Sequence, residues 1–316
     1  MSLQNIYSPI EKDLLDVESI IKKVITQVED PTLSKIYSSL LDSKGKRIRP
    51  ALVILSAKAM NNNSKTNVTK VAVAIELIHM ASLLHDDVMD NSSKRHNQST
   101  MNIKFGNEIP IGLGDYLYSS ALELIAQHDN AVMKCVVSTV KDMSEGQLLQ
   151  VLQRDNLDLS KEEYFLIVKK KTGSLFSASC EVGSLIVHKQ SKALSEFGLN
   201  FGIAFQLVDD YLDIVGEEKK LGKYVQQDLL VGEVTLPIIH LFEMLSDKEK
   251  KELKTLLSSK DKKAIASIRS KLSTDKKTKE VISFYLDKAR ENIDSLSDSE
   301  YKESFIQLID YLGGRV

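Results

Sequence analysis

The sequence predicts an all-α fold, a single large helical bundle, and three observations support this prediction. Apolar residues recur at intervals of three to four along most of the chain, and no segment alternates convincingly like a β-hairpin. Hydrophobic residues make up 42% of the 316 residues, which is enough for a sizeable core. Four of the five prolines fall where helices are expected to start or stop, namely Pro31, Pro50, Pro110 and Pro237.

The individual helices can be placed in chain order. Residues 1–30 are amphipathic and acidic, which predicts an ordinary first helix, and Asp30-Pro31 has the pattern of an N-cap and a first helical residue. Two later helix starts are marked by the capping boxes Ser160–Glu163 and Ser246–Glu249. Long apolar helices are predicted at 71–84, 113–127, 131–152 and 201–208, and a polar loop at 61–67.

Composition limits the organisation of the chain and its partners. No linker or repeat is visible, so residues 1–316 are expected to form one domain, with Lys-rich, solvated peripheral helices from about residue 246 to 316. A net charge of −2 gives no sign of a nucleic-acid or anionic-membrane surface. Cys135 and Cys180 lack metal or redox spacing, and no signal peptide or 18-residue apolar run is present. A cytoplasmic protein without stable membrane insertion is expected.

The most informative feature is a pair of acidic blocks with the pattern DDxxD, at 86–90 and 209–213. In each block the first and last aspartates stand four residues apart, so both carboxylates fall on one helix face. Like charges at this spacing repel, and a cation between them would relieve the repulsion. Oxygen ligands with no soft donor nearby suit Mg²⁺, which shares its coordination with substrate phosphates.

Other interpretations of the blocks fit the sequence less well. A single DDxxD is more often a solvated helix end, but two copies that each follow a long apolar run are unusual. A diiron helical bundle also uses paired acids, yet it requires ExxH pairs, which neither block provides. Two blocks facing each other across one site are the simplest arrangement for binding a diphosphate through several metal ions.

Arginine is scarce and clustered. The chain has seven arginines among its 42 basic residues, and Arg47 and Arg49 lie in the segment GKRIRP at 45–50, while Arg95 follows the first acidic block. Arginine is the better bidentate ligand for phosphate groups. This clustering therefore indicates anion binding near both segments.

These motifs together resemble the trans-type isoprenyl diphosphate synthases of the polyprenyl synthetase family. The resemblance covers roughly residues 40–240, in family order and spacing. It implies a prenyltransferase that extends an allylic diphosphate, such as farnesyl or geranylgeranyl diphosphate, with isopentenyl diphosphate. The matching segments are GKRIRP at 45–50, ELIHMASLLHDDVMD at 76–90, Arg95, GDYL at 114–117, EGQ at 145–147, KTG at 171–173, FQLVDDYLD at 205–213, Gly222-Lys223 and Thr235-Leu236-Pro237.

The resemblance also implies a role for each matching residue. Three Mg²⁺ ions are expected, bound directly by Asp86, Asp90 and Asp209. Asp87, Asp210 and Asp213 would act through metal-bound water or by supporting the residues that bind the metal. Arg95, Lys171 and Lys223 would hold the allylic diphosphate, and the oxygens of Thr172 and Gln206 would face the carbocation. Gly45, Lys46, Arg49 and His79 would form the isopentenyl diphosphate site. Without the motifs, His79 would be taken for a core histidine, and Thr172 and Gln206 for interhelical hydrogen-bonding residues.

The chain departs from the family pattern at three positions. Where the family has a second arginine that helps to bind isopentenyl diphosphate, this chain has His96, which carries a full charge only below its usual pKa of about 6.5. Glu233 replaces a family lysine, and Lys44 replaces a glycine. We therefore expect an active enzyme that binds isopentenyl diphosphate more weakly.

Product length depends on what blocks the hydrocarbon tunnel beside the helix that carries Asp86. Short-chain members of the family place an aromatic residue one turn deeper, where this chain has Ala81 and Ser82, and residues 71–85 contain no aromatic side chain. A product of twenty carbons or more is expected. Ile78, Ile75, Tyr116 and Tyr118 are candidate floor residues, the two tyrosines being equally well explained as core aromatics.

The same motifs leave two alternative functions open, and the family resemblance also implies a partner, a second copy of the chain. A weakly active or regulatory subunit of a heteromeric synthase would fit His96 and Glu233, whereas the intact acidic blocks favour the elongating enzyme. A terpene cyclase would lack the second diphosphate site at GKRIRP. The family commonly forms homodimers, and helices 113–127 and 131–152 are apolar enough to provide the interface.

Overall fold

The computed structural model describes residues 2–42, 45–61, 67–95, 98–216, 227–258 and 276–316, and it confirms the all-α class. The described helices are α1 (Leu3–Ile6), α2 (Glu11–Thr26), α3 (Pro31–Ser38), α4 (Ile48–Met60), α5 (Thr69–Met89), α6 (Met101–Phe105), α7 (Glu108–Ile125), α8 (Asn130–Leu152), α9 (Lys161–Val168), α10 (Ser174–Leu185), α11 (Lys192–Val215), α12 (Gln227–Val231), α13 (Leu236–Met244), α14 (Asp247–Ser258), α15 (Lys276–Ile293) and α16 (Glu300–Gly313). Short 3₁₀ turns span Ser8–Ile10 and Ser39–Asp42.

The apolar helices surround the centre of the bundle. Helix α5 packs against α7, while α11 packs against α10 and α15, and α10 also contacts α4. Helices α4, α5 and α11 are buried along most of their length, because their sequences are apolar on nearly every face. Both acidic blocks lie at the C-terminal ends of such helices, α5 and α11.

The predicted helix starts are confirmed by hydrogen bonds. Asp30 Oδ1 accepts from the backbone N–H groups of Thr32 and Leu33, and Pro31 is the first residue of α3. Ser160 and Glu163 form a complete capping box at α9. At α14, the Ser246 backbone N–H donates to the Glu249 carboxylate at 2.9 Å and the Glu249 backbone N–H donates to Ser246 Oγ at 3.5 Å, so the second predicted capping box also forms.

Two local features differ from the prediction. The first helix is interrupted: Pro9 lies in the 3₁₀ turn between α1 and α2, because proline cannot donate the backbone hydrogen bond that a continuous helix requires there. A minimal antiparallel hairpin pairs Lys94–Arg95 with Gln98–Ser99, and strands of two residues are too short to show an alternating pattern. Of the predicted polar loop, residues 62–66 lie outside the described part of the chain.

Over the described residues, none of the helices combines the length and the apolar character that crossing a membrane requires.

Candidate active site

The three aspartates of the first acidic block have different surroundings at the end of α5. Asp86 and Asp90 are partly exposed, with 15% and 18% of their side-chain surface accessible. Asp87 is buried and accepts hydrogen bonds from Arg95 Nε at 3.0 Å and Arg95 Nη2 at 2.8 Å. Asp86 and Asp90 are therefore the carboxylates that a ligand can reach from solvent.

The second block, at the end of α11, differs from the first in its last aspartate, which is buried. Asp209 has 39% of its side-chain surface accessible, whereas Asp210 and Asp213 are buried. Asp210 accepts hydrogen bonds from the Tyr164 hydroxyl at 2.5 Å and from Gln206 Nε2 at 2.7 Å. Burial, and then the nearby charge of Asp228, raises the pKa of Asp210 to about 7.

A π-helical turn, Lys169–Gly173, joins α9 to α10 and contacts the helices of both blocks. Lys171 Nζ lies 3.7 Å from Asp86 Oδ2, and Thr172 Oγ1 donates to Gln206 Oε1 at 2.7 Å. Helix α8 approaches this turn closely, because a Cβ atom at Gly146 would lie only 2.4 Å from the backbone nitrogen of Lys171. Single π-helical turns inside α-helices are frequent at functional sites.

Four side chains form a continuous hydrogen-bond chain on the side of the second block. Tyr164 and Gln206 both donate to Asp210, and Thr172 donates to Gln206. Because the Asp210 carboxylate accepts a hydrogen bond from the amide N–H of Gln206, the amide oxygen of Gln206 points toward the Thr172 hydroxyl. Tyr164 was not anticipated from the sequence, where it is one apolar position of α9.

Residues of the GKRIRP segment form a second cationic site beside the blocks. Arg49 Nη1 lies 3.1 Å from His79 Nε2, and its guanidinium lies 4.3 Å from the centre of the Phe176 ring. A guanidinium can only donate, so the imidazole accepts at Nε2. Burial lowers the pKa of Arg49 to about 10, partly opposed by Glu76 and by Asp209 of the second block. Lys46 is exposed, with its ammonium 5.8 Å from the Tyr311 ring centre.

Arg47 and Gly45 shape this segment. Arg47 has φ 53°, and its side chain forms hydrogen bonds to Glu18 at 2.5 Å and to Glu76 at 2.7 Å. Arg47 therefore fixes the segment against α2 and α5. A Cβ atom on Gly45 would lie 3.0 Å from the Arg47 guanidinium, so the segment has little room for a side chain there.

Arg315 and Arg154 are two further cations beside the acidic blocks. Neither was predicted from the sequence. Arg315 Nη1 lies 3.6 Å from Asp209 Oδ1, at the end of the chain. Arg154 Nη2 forms a short hydrogen bond to Asp90 and lies 3.7 Å from Glu233 Oε1. Arg154 lies in the turn after α8, seven residues beyond Gln147 of the EGQ motif, and no local pattern in the sequence identifies its partner.

Glu233, one of the departures from the family pattern, is thus adjacent to a cation from the turn after α8. Its side chain is 14% accessible, and burial followed by the charge of Asp228 raises the pKa of Glu233 to about 8. Asp90 is affected in the same direction, because burial raises its pKa against the opposing charges of Lys171 and Arg154.

The GDYL motif places α7 against the first block. A Cβ atom on Gly114 would lie 2.2 Å from His85 Nε2, so only glycine accommodates the imidazole there. That nitrogen lies 3.2 Å from the Ile111 carbonyl and 3.6 Å from Asp115 Oδ1. Tyr118 packs against the same imidazole, and burial and then Asp86 raise its pKa to about 12. Tyr118 therefore lies near the acidic end of α5.

The other candidate floor residues lie deeper along α5 and α7. Ala81, Ile78 and Ile75 are fully buried, whereas Ser82 is partly accessible and its hydroxyl donates to the His79 carbonyl at 2.8 Å. Tyr116 donates to the Val24 carbonyl at 3.2 Å. Tyr116 is thus fixed against α2. His96 and Lys223 lie outside the described residues.

The donor set of the two blocks fits Mg²⁺. Over the described residues, each partly exposed carboxylate has a cation within 4 Å: Lys171 at Asp86, Arg154 at Asp90 and Arg315 at Asp209. Within the described ranges, no group of three or more His, Cys, Asp or Glu side chains converges on a single ion position. Mg²⁺ commonly binds one or two carboxylates and completes its coordination with water and substrate phosphates, so such a cage is not required.

The chain resembles known prenyl synthases over its whole length. The family model described as polyprenyl synthetase matches residues 30–274. The chain is 33% identical to geranylgeranyl diphosphate synthase of Methanosarcina mazei, covering 100% of this chain and 99% of that protein. It is also 33% identical to heptaprenyl diphosphate synthase component 2 of Geobacillus stearothermophilus, again covering 100% and 99%.

A solved structure supports the same fold. The polyprenyl synthase from Caulobacter crescentus, complexed with calcium and isoprenyl diphosphate, superimposes with a TM-score of 0.94 at 27% identity. The match covers 100% of this chain and 98% of that chain.

Proposed function

The chain belongs to the polyprenyl synthetase family and is a trans-prenyltransferase, and we propose that it makes a trans-polyprenyl diphosphate of twenty carbons or more. Its substrates would be isopentenyl diphosphate and an allylic diphosphate, farnesyl or geranylgeranyl diphosphate. The π-helical turn carries this proposal. Lys171 there contacts the first acidic block, and its neighbour Thr172 contacts Gln206, one turn before the second block.

The reaction separates charge, and the residues of the site match each side of that separation. The allylic C1–O bond breaks and the diphosphate leaves with the electron pair. The double bond of isopentenyl diphosphate then attacks C1, and the released diphosphate takes the proton that the product loses. Lys171 would stabilise the leaving diphosphate. The oxygens of Thr172 and Gln206, held in place through Asp210 and Tyr164, would face the allylic cation.

The divalent metal would be held by the partly exposed carboxylates Asp86, Asp90 and Asp209. When bound, Mg²⁺ supplies positive charge at the departing diphosphate, and we propose three ions by the family resemblance. The buried aspartates Asp87 and Asp210 keep their blocks in place through the hydrogen bonds described above. Asp213 accepts a hydrogen bond from the Asp228 backbone N–H at 3.3 Å and so holds the start of α12.

The second substrate would bind at Arg49, Lys46 and His79. Arg49 is fixed by His79 and Phe176, so its guanidinium is already oriented before isopentenyl diphosphate arrives. Lys46 is exposed at the edge of this site and provides a mobile charge. Arg95, Lys223 and His96 remain predicted ligands of the two diphosphates, and in this structure Arg95 binds Asp87.

The proposed product length depends on the small residues along α5. Ala81 is fully buried and Ser82 is small, so the turn below Asp86 lacks the aromatic side chain that would stop the chain early. Tyr118 contacts His85, near the acidic end, which makes it a poor candidate for a deep floor. Geranylgeranyl and heptaprenyl synthases match this chain at the same identity, so the product must be measured.

The direct test incubates the enzyme with labelled isopentenyl diphosphate, Mg²⁺ and either farnesyl or geranylgeranyl diphosphate, and reads the product by mass spectrometry. A discrete product of at least twenty carbons is expected, and it should be lost in Asp86→Ala and Asp209→Ala. A parallel incubation with geranyl diphosphate tests the length, and a product that stops at fifteen carbons, with farnesyl diphosphate left unextended, would contradict the proposal. Ser82→Phe should shorten the product, whereas Ser82→Ala is the matched control.

A second candidate is a weakly active or regulatory subunit of a heteromeric synthase. The similarity to a protein named as component 2 of a heptaprenyl diphosphate synthase favours it. If the chain elongates neither primer although it is folded, mixing with a partner subunit should restore activity.

We further propose that the chain forms a homodimer and works in the cytoplasm. Helices α7 and α8 expose Leu122, Val137 and Leu148, at 41%, 51% and 61%, which supports a self-association surface there. Burial raises the pKa of Cys180 to about 12, which suits a reduced thiol. Light scattering of the purified chain would give the oligomeric state, with Leu148→Glu expected to yield monomers.

A further inference from the structure

Arg154 lies between two acidic side chains from different segments, Asp90 and Glu233. We propose that Arg154 is a positioning residue. Arg154 holds Asp90 before the divalent metal binds, and it forms its ion pair with Glu233 instead when Asp90 becomes a metal ligand. This inference rests on the proposed function, because it requires Asp90 to bind the metal.

The geometry places the same nitrogen of Arg154 near both acids. Arg154 Nη2 hydrogen-bonds to Asp90 Oδ1 and lies 3.7 Å from Glu233 Oε1. Arg154 Nη1 is meanwhile held by the backbone carbonyl of Met89 at 3.1 Å. A small rotation about this anchored nitrogen would exchange Asp90 for Glu233 without a shift of the Arg154 backbone.

Unused hydrogen-bonding capacity supports the exchange. Among the described residues, Glu233 Oε1 and Arg154 Nε are buried side-chain atoms that form no hydrogen bond. Buried polar atoms without partners are uncommon in folded proteins, and each calls for an explanation. Glu233 Oε1 is unsatisfied while Arg154 binds Asp90, and it would become satisfied when Arg154 turns toward it.

The charge balance explains why an acid at position 233 is useful. A guanidinium bound to Asp90 competes with a metal for the same oxygen, and a buried guanidinium without a partner is costly. Glu233 provides Arg154 with a second partner. Lys171 performs no equivalent exchange at Asp86, because its 3.7 Å separation is already beyond hydrogen-bond distance.

The test is a double-mutant cycle on metal-dependent binding, which does not depend on turnover. Inorganic pyrophosphate is titrated by calorimetry into wild type, Arg154→Gln, Glu233→Gln and the double variant at a series of Mg²⁺ concentrations. We expect Glu233→Gln to raise the half-saturating Mg²⁺ concentration about fivefold, because Arg154 then stays on Asp90. In the Arg154→Gln background the same change should shift it less than about twofold.

The control variants separate the possible failures. If Glu233→Gln causes the same shift in both backgrounds, Glu233 acts only through its charge, and the exchange is contradicted. If Asp90→Asn leaves the Mg²⁺ dependence unchanged, the proposed metal role of Asp90 fails as well. Thermal unfolding without Mg²⁺ checks that each variant folds. Should Arg154→Gln fail to fold, Arg154→Lys replaces it in the cycle, since a single ammonium cannot span the anchor and both acids.

Discussion

The two acidic blocks have the same sequence pattern but are held in place by different chemistry. In the first block, Arg95 binds the buried Asp87, and Lys171 and Arg154 lie at the two accessible carboxylates. In the second block, the buried Asp210 is bound by the neutral donors Tyr164 and Gln206.

This difference shows that a motif specifies ligand positions without specifying their electrostatics. Charges around the first block compensate its carboxylates, so Asp87 is stabilised as an anion by its ion pair. The second block relies on hydrogen bonds in a buried setting, where the pKa of Asp210 is raised to about 7. The first block should therefore be sensitive to loss of charge, and the second to pH.

The largest expected effect is a loss of stability with rising pH that originates in the second block. The folded pKa of Asp210, about 7, lies above the unfolded value of 3.8, so the folded state retains a proton that the unfolded chain has released. Stability from this group is fully present below about pH 4 and is lost as pH rises through about 7, on the order of 3 kcal/mol.

Chemical unfolding of the metal-free protein between pH 5 and 8 would measure this effect. Asp210→Asn should flatten the pH dependence of the free energy of unfolding, because asparagine does not titrate. Glu233→Gln should flatten a separate part of the same pH dependence, one that extends toward pH 8, since burial also raises the pKa of Glu233. An unchanged slope in Asp210→Asn would remove the proposed distinction between the blocks.

The second prediction compares the two buried aspartates directly. Asp87→Asn should cost about 2 kcal/mol, because it leaves the Arg95 guanidinium without its anionic partner in a site that is only partly screened by solvent. Asp210→Asn should cost less than about 1 kcal/mol at pH 6, since both neighbours can still be satisfied by an amide. Urea denaturation at that pH distinguishes the two, and equal costs would mean that both blocks are held alike.

The third prediction concerns Tyr164, which acts on the reaction only through Asp210 and Gln206. Tyr164→Phe should lower kcat about tenfold and leave the KM for isopentenyl diphosphate unchanged, because the second substrate binds elsewhere. Phe165→Leu, a change at the neighbouring residue of α9, is the matched control for packing. A rise in KM with unchanged kcat would show that Tyr164 does not position Gln206.

The smallest effect is expected beside the first block, where the chain has His96 in place of a family arginine. His96→Arg should lower the KM for isopentenyl diphosphate about threefold at pH 8, where the imidazole is mostly neutral. His96→Gln serves as the uncharged control. An unchanged or raised KM would mean that the missing charge does not limit binding.

Local signals in the sequence were sufficient for the fold and for the acidic ligands. The capping box at Ser160 and the N-cap at Asp30 depend on residues within three positions, and both are found in the structure. The DDxxD spacing accounts for the two accessible carboxylates of the first block, Asp86 and Asp90, but not for the second block, where Asp213 is buried.

Contacts between distant segments could not be predicted in the same way. Arg154 meets Asp90 across 64 residues, and Tyr164 meets Asp210 across 46. A single arginine in the turn after α8 or a tyrosine on α9 has no local pattern that identifies its partner. The interruption of the first helix at Pro9 was visible in the sequence, but the amphipathic pattern on both sides outweighed it.

The central claim is that both acidic blocks act on one diphosphate. Calorimetric binding of inorganic pyrophosphate with saturating Mg²⁺ tests it in Asp86→Ala, Asp209→Ala and the double variant. If one diphosphate is held by both blocks, each single change should weaken binding by about a hundredfold, and the double variant should be little weaker than either. Additive losses, or a second binding event that survives in one single variant, would contradict the shared site.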